Sequence, residues 1–252
     1  MASQILVSGA EGNIGKHLTL NSSIDLKYVN TKIDFLKKNG PAEYVDFANN
    51  SGCNKILHLA WSSNTSNDYL NENIQEKWVQ KTIEMVERAS SYGLSVFCVG
   101  SGQELEHNVD NAYVNAKRKL HSLLNSEITA GEVTWIRPFY IFSKDLQIPR
   151  IVRSFLADSI NFRLNKPLEL HDYIEIRDVA SAIQCLIRNN LKGTVEIGYG
   201  KLTSNSNLLK CLFDFSDPNE HLSNHEIGVV ANIQKIVNLG WRPIHTRESL
   251  TK

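Results

Sequence analysis

Gln4-Ile5-Leu6-Val7-Ser8-Gly9-Ala10-Glu11-Gly12-Asn13-Ile14-Gly15-Lys16-His17-Leu18 reads as a short apolar strand that runs into a glycine-rich turn and then a helix. Gly9, Gly12 and Gly15 stand three apart directly behind Ile5, Leu6 and Val7. Glycines so placed let the chain turn tightly, approach a ligand by its backbone and pack helix against strand. The unpaired N–H groups at the start of such a helix favour a phosphate, so the turn Gly9, Glu11, Gly12, Asn13, Ile14, Gly15 is a candidate cradle for a pyrophosphate. Three spaced glycines also occur in bland α/β turns, so the reading needs support from elsewhere in the chain.

That support begins with the order of the elements. Outward from the first turn, strands are expected near residues 4–8, 26–29, 55–59, 94–99 and 133–136, alternating with helices near 13–20, 42–49, 73–91 and 112–126. Strictly alternating strands and helices make a parallel sheet covered on both faces, a Rossmann-like doubly wound α/β fold. Ligands bind such sheets at the carboxyl ends of the strands. The residues that follow each strand are therefore the expected site: Ser8 to Gly12, Asn30 to Lys32, Ala60 to Asn64, Gly100 to Gln103 and Pro138 to Phe142.

Beyond Phe142 the order loosens into a helix near 149–161, short apolar runs at 168–170 and 173–176, a helix near 178–188 and a strand at 194–197. We expect a dinucleotide-binding domain over 1–142 and a small C-terminal substrate-binding lobe over 143–252, with 178–200 returning to the sheet.

Composition narrows the function classes. The 252 residues carry 27 Lys and Arg against 27 Asp and Glu, so no net field draws nucleic acid or an anionic membrane. No apolar run reaches the ~18 residues needed to span a bilayer and no leader pattern opens the chain, which makes a cytoplasmic location the expectation. Cys53, Cys98, Cys185 and Cys211 show no close pairing and read as reduced thiols. The eight histidines lack ligand spacing, so no metal site is expected.

Tyr113-Val114-Asn115-Ala116-Lys117 places a phenol and an ammonium four apart on an expected helix, hence on one face. A cation there favours phenolate, so Lys117 is expected to lower the pKa of Tyr113. A phenol tuned in this way exchanges a proton with a carbonyl or alcohol oxygen. Ser101, at the end of a strand, adds a hydroxyl able to orient the same oxygen.

At this point the chain resembles the extended short-chain dehydrogenase/reductases, whose members mostly act on nucleotide-activated sugars. The likeness rests on Gly9-x-x-Gly12-x-x-Gly15, His58-Leu59-Ala60, Asn73, Gly100-Ser101-Gly102, Tyr113-x-x-x-Lys117, Arg137-Pro138 and the stretch from His171 to Ala180. It implies that Tyr113 is the acid/base, that Ser101 binds the reacting oxygen, and that Lys117 also holds the nicotinamide ribose. It further implies cofactor contacts from Leu59, Ala60, Trp61, Asn73 and Val99, with Pro138 and Phe139 at the carboxamide. His171 stands where the family usually has an arginine for the substrate diphosphate, a shorter and only partly charged substitute. Ser101 and Tyr113 are twelve positions apart, roughly half the family's usual separation, so the intervening loop is largely missing.

A site preferring NAD usually has a carboxylate about 20 residues past the glycines. Here Asn30, Thr31 and Lys32 occupy that place, with Asp34 behind them as a possible adenine contact, and the expected cofactor is NADP. Gly102 and Gln103 follow Ser101 where family dehydratases have an acidic pair, which leaves hydride transfer at one carbon. The expected activity is an NADP-dependent reductase of a nucleotide-activated keto-deoxysugar. The alternatives are an NAD-dependent 4-epimerase and a non-catalytic NADP-binding redox sensor. Sugar-facing candidates are Trp61, Ser62, Ser63, Ser101, Gln103 and Tyr140, Trp61 being equally readable as a core aromatic, with Lys144, Arg150, Arg153 and His171 toward the phosphates. Ile74, Val79, Ile83, Val86, Leu120 and Leu124 lie on the helices that often pair in this family, so a homodimer is expected.

Overall fold

The structure, a computed structural model, describes residues 3–20, 26–31, 33–62, 66–146, 148–159, 161–216 and 228–245. The chain divides into two compact units, one formed by residues 1–137 with 186–195, the other by 138–185 with 196–252. The sequence expectations for Lys32 and Ser63 fall outside the described residues.

The first unit alternates β1 (Ser3–Ser8), α1 (Asn13–Leu20), β2 (Leu26–Val29), α2 (Gly40–Asn50), β3 (Lys55–His58), α3 (Ser66–Leu70), α4 (Glu72–Ser91), β4 (Ser95–Val99), α5 (Ala112–Leu123), α6 (Asn125–Ala130) and β5 (Val133–Pro138). The large sheet has the order β2-β1-β3-β4-β5 followed by β9 (Gly193–Ile197). β1 pairs in parallel with β2 and β3, β3 with β4, and β4 with β5. With helices on both faces, consecutive strand residues are apolar and inaccessible: Ile5, Leu6, Ile56, Leu57 and Phe97 are all fully buried. The chain leaves β1 toward β2 on one side and returns to β3 on the other. The crevice at that reversal opens beside the carboxyl ends of β1 and β3, at Ser8 and His58.

Side-chain caps set where the helices that carry the site begin. Asn71 accepts from Ile74 N–H at 3.1 Å to start α4, and Asn111 accepts from Val114 N–H at 3.0 Å to start α5. The second cap puts Tyr113 in the first turn of α5 and Lys117 one turn on. The single helix expected over 112–126 is two, because Leu124 interrupts it and Gly131, at φ +78°, ends the second.

Val79, Val86, Leu120 and Leu124 are buried in the core of this unit with Trp135 and Met85, and Ile74 and Ile83 pack partly buried against it. The apolar stripes of α4 and α5 are thus used within the chain. The homodimer expectation therefore draws no support from these stripes, which cover the chain's own sheet.

In the second unit β6 (Tyr140–Phe142) pairs in parallel with β8 (Tyr173–Glu175), and β7 (Leu170–His171) pairs antiparallel with β10 (Thr203–Ser204). α7 (Arg150–Ala157), α8 (Ile176–Arg188), α9 (Asn205–Phe213) and α10 (Gln234–Val237) complete it. Its apolar cluster includes Phe142, Val152, Tyr173, Leu208, Leu209 and Leu212. The two aspartates of the 171–180 stretch anchor backbone: Asp172 accepts from the N–H groups of Tyr199, Gly200 and Ala231, and Asp178 from those of Ile244 and His245. No helix among the described residues is long and apolar enough to cross a membrane.

Candidate active site

Two glycines of the first turn are irreplaceable on steric grounds. Gly9 has φ +70°, and a Cβ there would lie 2.7 Å from Ala60 N; a Cβ on Gly15 would lie 2.5 Å from Ala10 O. Gly12 N–H donates to Gly9 O at 2.9 Å and closes the turn. Beside it a cleft of about 150 Å³ is lined by Val7, Ala10, Glu11, Lys16, Tyr28, Val29 and Asn30. Gly12, Glu11 and Asn13 are exposed, so the turn offers its backbone to solvent. A backbone cradle that excludes a Cβ at Gly9 and Gly15, opening beside a cleft at the end of β2, fits a dinucleotide. Asn30 and Thr31 are at that end; Asp34 accepts from Leu36 N–H at 3.0 Å in the next turn.

The turn is locked to β3 by a hydrogen-bond chain whose directions can be deduced. Thr82 Oγ1 donates to Trp78 O at 2.8 Å, so at its 3.2 Å contact with His58 Nε2 it accepts. Nδ1 of that tautomer is unprotonated and accepts from Ser8 Oγ at 2.8 Å, and Ser8 Oγ accepts from Ala60 N–H at 3.2 Å. Burial pushes His58 down to about 3, which keeps the ring neutral as the chain requires.

Ala60 leads directly into Trp61, and here the catalytic candidates converge. Lys117 Nζ donates to Val99 O at 2.7 Å and lies 3.3 Å from the centroid of the Trp61 ring and 5.8 Å from that of Tyr113. Tyr113 has the Ser101 hydroxyl as hydrogen-bond partner and stacks on Tyr69, the ring centroids 4.8 Å apart. Burial, then Tyr69 and Glu104, push the Tyr113 phenol up, and only the Ser101 hydrogen bond opposes them. This corrects the expectation that Lys117 lowers it. Burial also pulls Lys117 down to about 7, against the carboxylate of Glu104 and the thiol of Cys98. An ammonium so weakened is a poor stabiliser of phenolate.

The sequence reading missed Glu104. Its carboxylate accepts from Ser101 N–H at 2.7 Å, Arg137 Nε at 2.8 Å and Trp135 Nε1 at 3.2 Å. Ser101 and Glu104 form a capping box on the 3₁₀ turn Gly102–Leu105, so Ser-x-x-Glu was the available signal. Arg118 was missed as well. Its guanidinium donates to the carbonyls of Glu104 at 2.9 Å, Glu106 at 2.6 Å and Val109 at 3.0 Å, which pins the short connection between Ser101 and Tyr113. Gln103 accepts from Tyr69 O–H at 2.9 Å.

Asn73 is exposed in the first turn of α4, in a groove lined also by Glu76, Ala112 and Lys119. The α4 residues that reach the site are Gln75, Trp78 and Thr82, on another face of the helix, so the expectation for Asn73 is corrected. Gln75 accepts from Trp61 Nε1 at 2.6 Å and donates to Ser62 O and Asp68 O, both at 2.8 Å. Ser62 Oγ donates to Asp68 at 3.0 Å.

Within the second unit, Pro138 and Phe139 are buried, and Phe139 N–H donates to Ile197 O at 2.8 Å. His171 stacks on Tyr140 at 3.8 Å and sets Nε2 3.4 Å from Glu169 Oε2. A buried ring facing a carboxylate is poorly suited to grip a diphosphate, which corrects that expectation. Arg150 and Arg153 are exposed on α7, and Lys144 lies 5.2 Å from the centroid of the Phe213 ring.

No protein-family model matches the sequence, and no curated protein matches it. Solved structures do. RMD from Pseudomonas aeruginosa, complexed with NADPH, is 17% identical and superposes with a TM-score of 0.76 over 99% of this chain and 97% of its own. ADP-L-glycero-D-manno-heptose-6-epimerase from Helicobacter pylori is 16% identical, with a TM-score of 0.75 over 99% and 94%. UDP-glucose-4-epimerase from Stenotrophomonas maltophila, with bound NAD and formylated UDP-arabinopyranose, is 14% identical, with a TM-score of 0.73 over 100% and 96%. The chain has the fold of the extended short-chain dehydrogenase/reductases, the family its motifs resemble.

Proposed function

We propose that this chain is an NADP-dependent reductase that transfers hydride to one carbonyl carbon of a nucleotide-activated keto-deoxysugar. The observation that carries the reading is the meeting of Ser101, Tyr113 and Lys117 in one unit, joined through Ala60 and Trp61 to a glycine turn that admits no Cβ at Gly9 or Gly15. The NADPH complex of RMD and the sugar-nucleotide epimerases that share the fold support it.

The bound cofactor supplies the hydride; the protein supplies orientation and the proton. Gly9 to Gly15 would hold the pyrophosphate by backbone, and Lys16 with Asn30 would hold a 2′-phosphate where NAD sites have a carboxylate. The Ser101 hydroxyl holds the carbonyl oxygen. Tyr113, pushed up by burial, is fully protonated at neutral pH, and its O–H donates to that oxygen as negative charge develops there.

Incubation of the purified protein with a panel of keto-sugar nucleotides and NADPH tests the reading. One cofactor is consumed for each product formed. Product without net cofactor change identifies the 4-epimerase instead. NADPH binding with no turnover on any substrate identifies the redox sensor.

A further inference from the structure

Lys117 makes a contact that proton transfer by Tyr113 does not by itself require. Its ammonium has three protons. One goes to Val99 O at 2.7 Å, and the face of Trp61, with its centroid 3.3 Å away, takes another. The third remains for the Tyr113 side, where the ring centroid is 5.8 Å from Nζ. The indole is held in turn: Nε1 donates to Gln75 at 2.6 Å, and the ring stacks on Trp78 with centroids 5.6 Å apart and planes at 27°. Trp78 stacks likewise on Phe35 at 5.6 Å, so a column of three rings backs the ammonium.

We infer that Trp61 is a positioning residue for Lys117, its indole face holding the ammonium against Val99 so that one proton is left aimed at Tyr113 and the oxygen beside it. The inference rests on reading Tyr113 and Lys117 as the proton-transfer pair. The other titratable groups around the ammonium do not take over this role. His58 on β3 is neutral, Cys98 on β4 is a thiol pushed up to about 12, and Tyr69 on α3 and Tyr113 on α5 are phenols pushed up by burial. Glu104 supports the charge from a distance, its carboxylate already receiving Ser101, Trp135 and Arg137. A desolvated cation over an indole face is among the stronger contacts of its kind.

Two measurements on the ligand-free protein test this, and neither depends on the proposed substrate or cofactor. Tryptophan emission followed against pH shows a transition with its midpoint near that of Lys117, about 7. The transition is lost in Lys117→Met and in Trp61→Phe; its persistence in either variant overturns the inference. In protein labelled with ¹³C-lysine, the Lys117 Cε shift, assigned by its loss in Lys117→Met, titrates at about the same midpoint in Trp61→Phe, which keeps an aromatic face. It titrates more than about one pH unit lower in Trp61→Leu, which has none. An unchanged or raised midpoint in Trp61→Leu would make the ring merely a space-filler. Normal titrations in a protein that never oxidises NADPH would leave Trp61 in this role and defeat the reductase reading alone.

Discussion

Replacing Glu104 by glutamine keeps the side chain's shape and removes its charge, and the surrounding donors set the cost. The carboxylate is almost fully buried, at 1% exposure, and its partner Arg137 is 12% exposed. In the Glu104→Gln variant one of the two oxygens becomes an NH₂, which leaves either Ser101 N–H or the pair Trp135 Nε1 and Arg137 Nε without an acceptor. The guanidinium is then left nearly buried without its counter-charge. Breaking a buried pair from one side costs about 3–5 kcal/mol; the slight exposure of Arg137 points to the low end, about 3 kcal/mol. Set against a total stability of about 5–15 kcal/mol, this is a large fraction. For a chain of this size it lowers the thermal midpoint by roughly 6–12 °C. Urea denaturation and calorimetry measure both quantities. Adding Arg137→Met removes the stranded cation and recovers at least half of the loss, because the pair couples. A single-variant cost under about 1 kcal/mol, or a double variant weaker than the single, would refute the reasoning.

The other expectations concern the site. Tyr113→Phe keeps NADPH affinity while lowering turnover by about 10²–10⁴-fold in steady-state assays, and unchanged turnover removes Tyr113 from the mechanism. Asn30→Asp sets a carboxylate at the end of β2, so calorimetric titration finds the ratio of NADPH to NADH affinity reduced at least tenfold, about the effect of one misplaced charge; an unaltered ratio refutes the NADP assignment. Lys117 lies near 7 in the fold, down from an ordinary value of 10.5, so the unfolded chain binds its proton more readily. The penalty is complete below about 7 and fades toward 10.5, so wild-type stability relative to Lys117→Met rises over that window. Denaturant melts at several pH values measure the gap, and a constant gap contradicts the buried-ammonium picture.

How far each feature could be read from the chain depends on the range of the physics that makes it. The turn at Gly9, the pairing of Tyr113 with Lys117 on one helical face and the alternation of strands and helices are short-range patterns, written in residue spacing. The Ser101 to Glu104 capping box is equally local, written as Ser-x-x-Glu, but the partners of its carboxylate, Trp135 and Arg137, are more than 30 residues away. Asn73 came from the resemblance alone, and the packing of α4 turns its face toward Glu76, Ala112 and Lys119. The apolar stripes of α4 and α5 were visible, but a stripe does not say whether it covers its own sheet or a second copy.

The sequence alone determined which residues share a face and which end of a strand they follow, because backbone geometry converts spacing into direction. Tertiary structure alone decided what each face meets: Trp61 over Lys117, Tyr69 on Tyr113, Arg137 against Glu104. It also decided the sign of the electrostatics at the centre, where an adjacent cation by itself would make Tyr113 a better acid. Burial, a property of the assembled fold, outweighs that local term and leaves the phenol protonated.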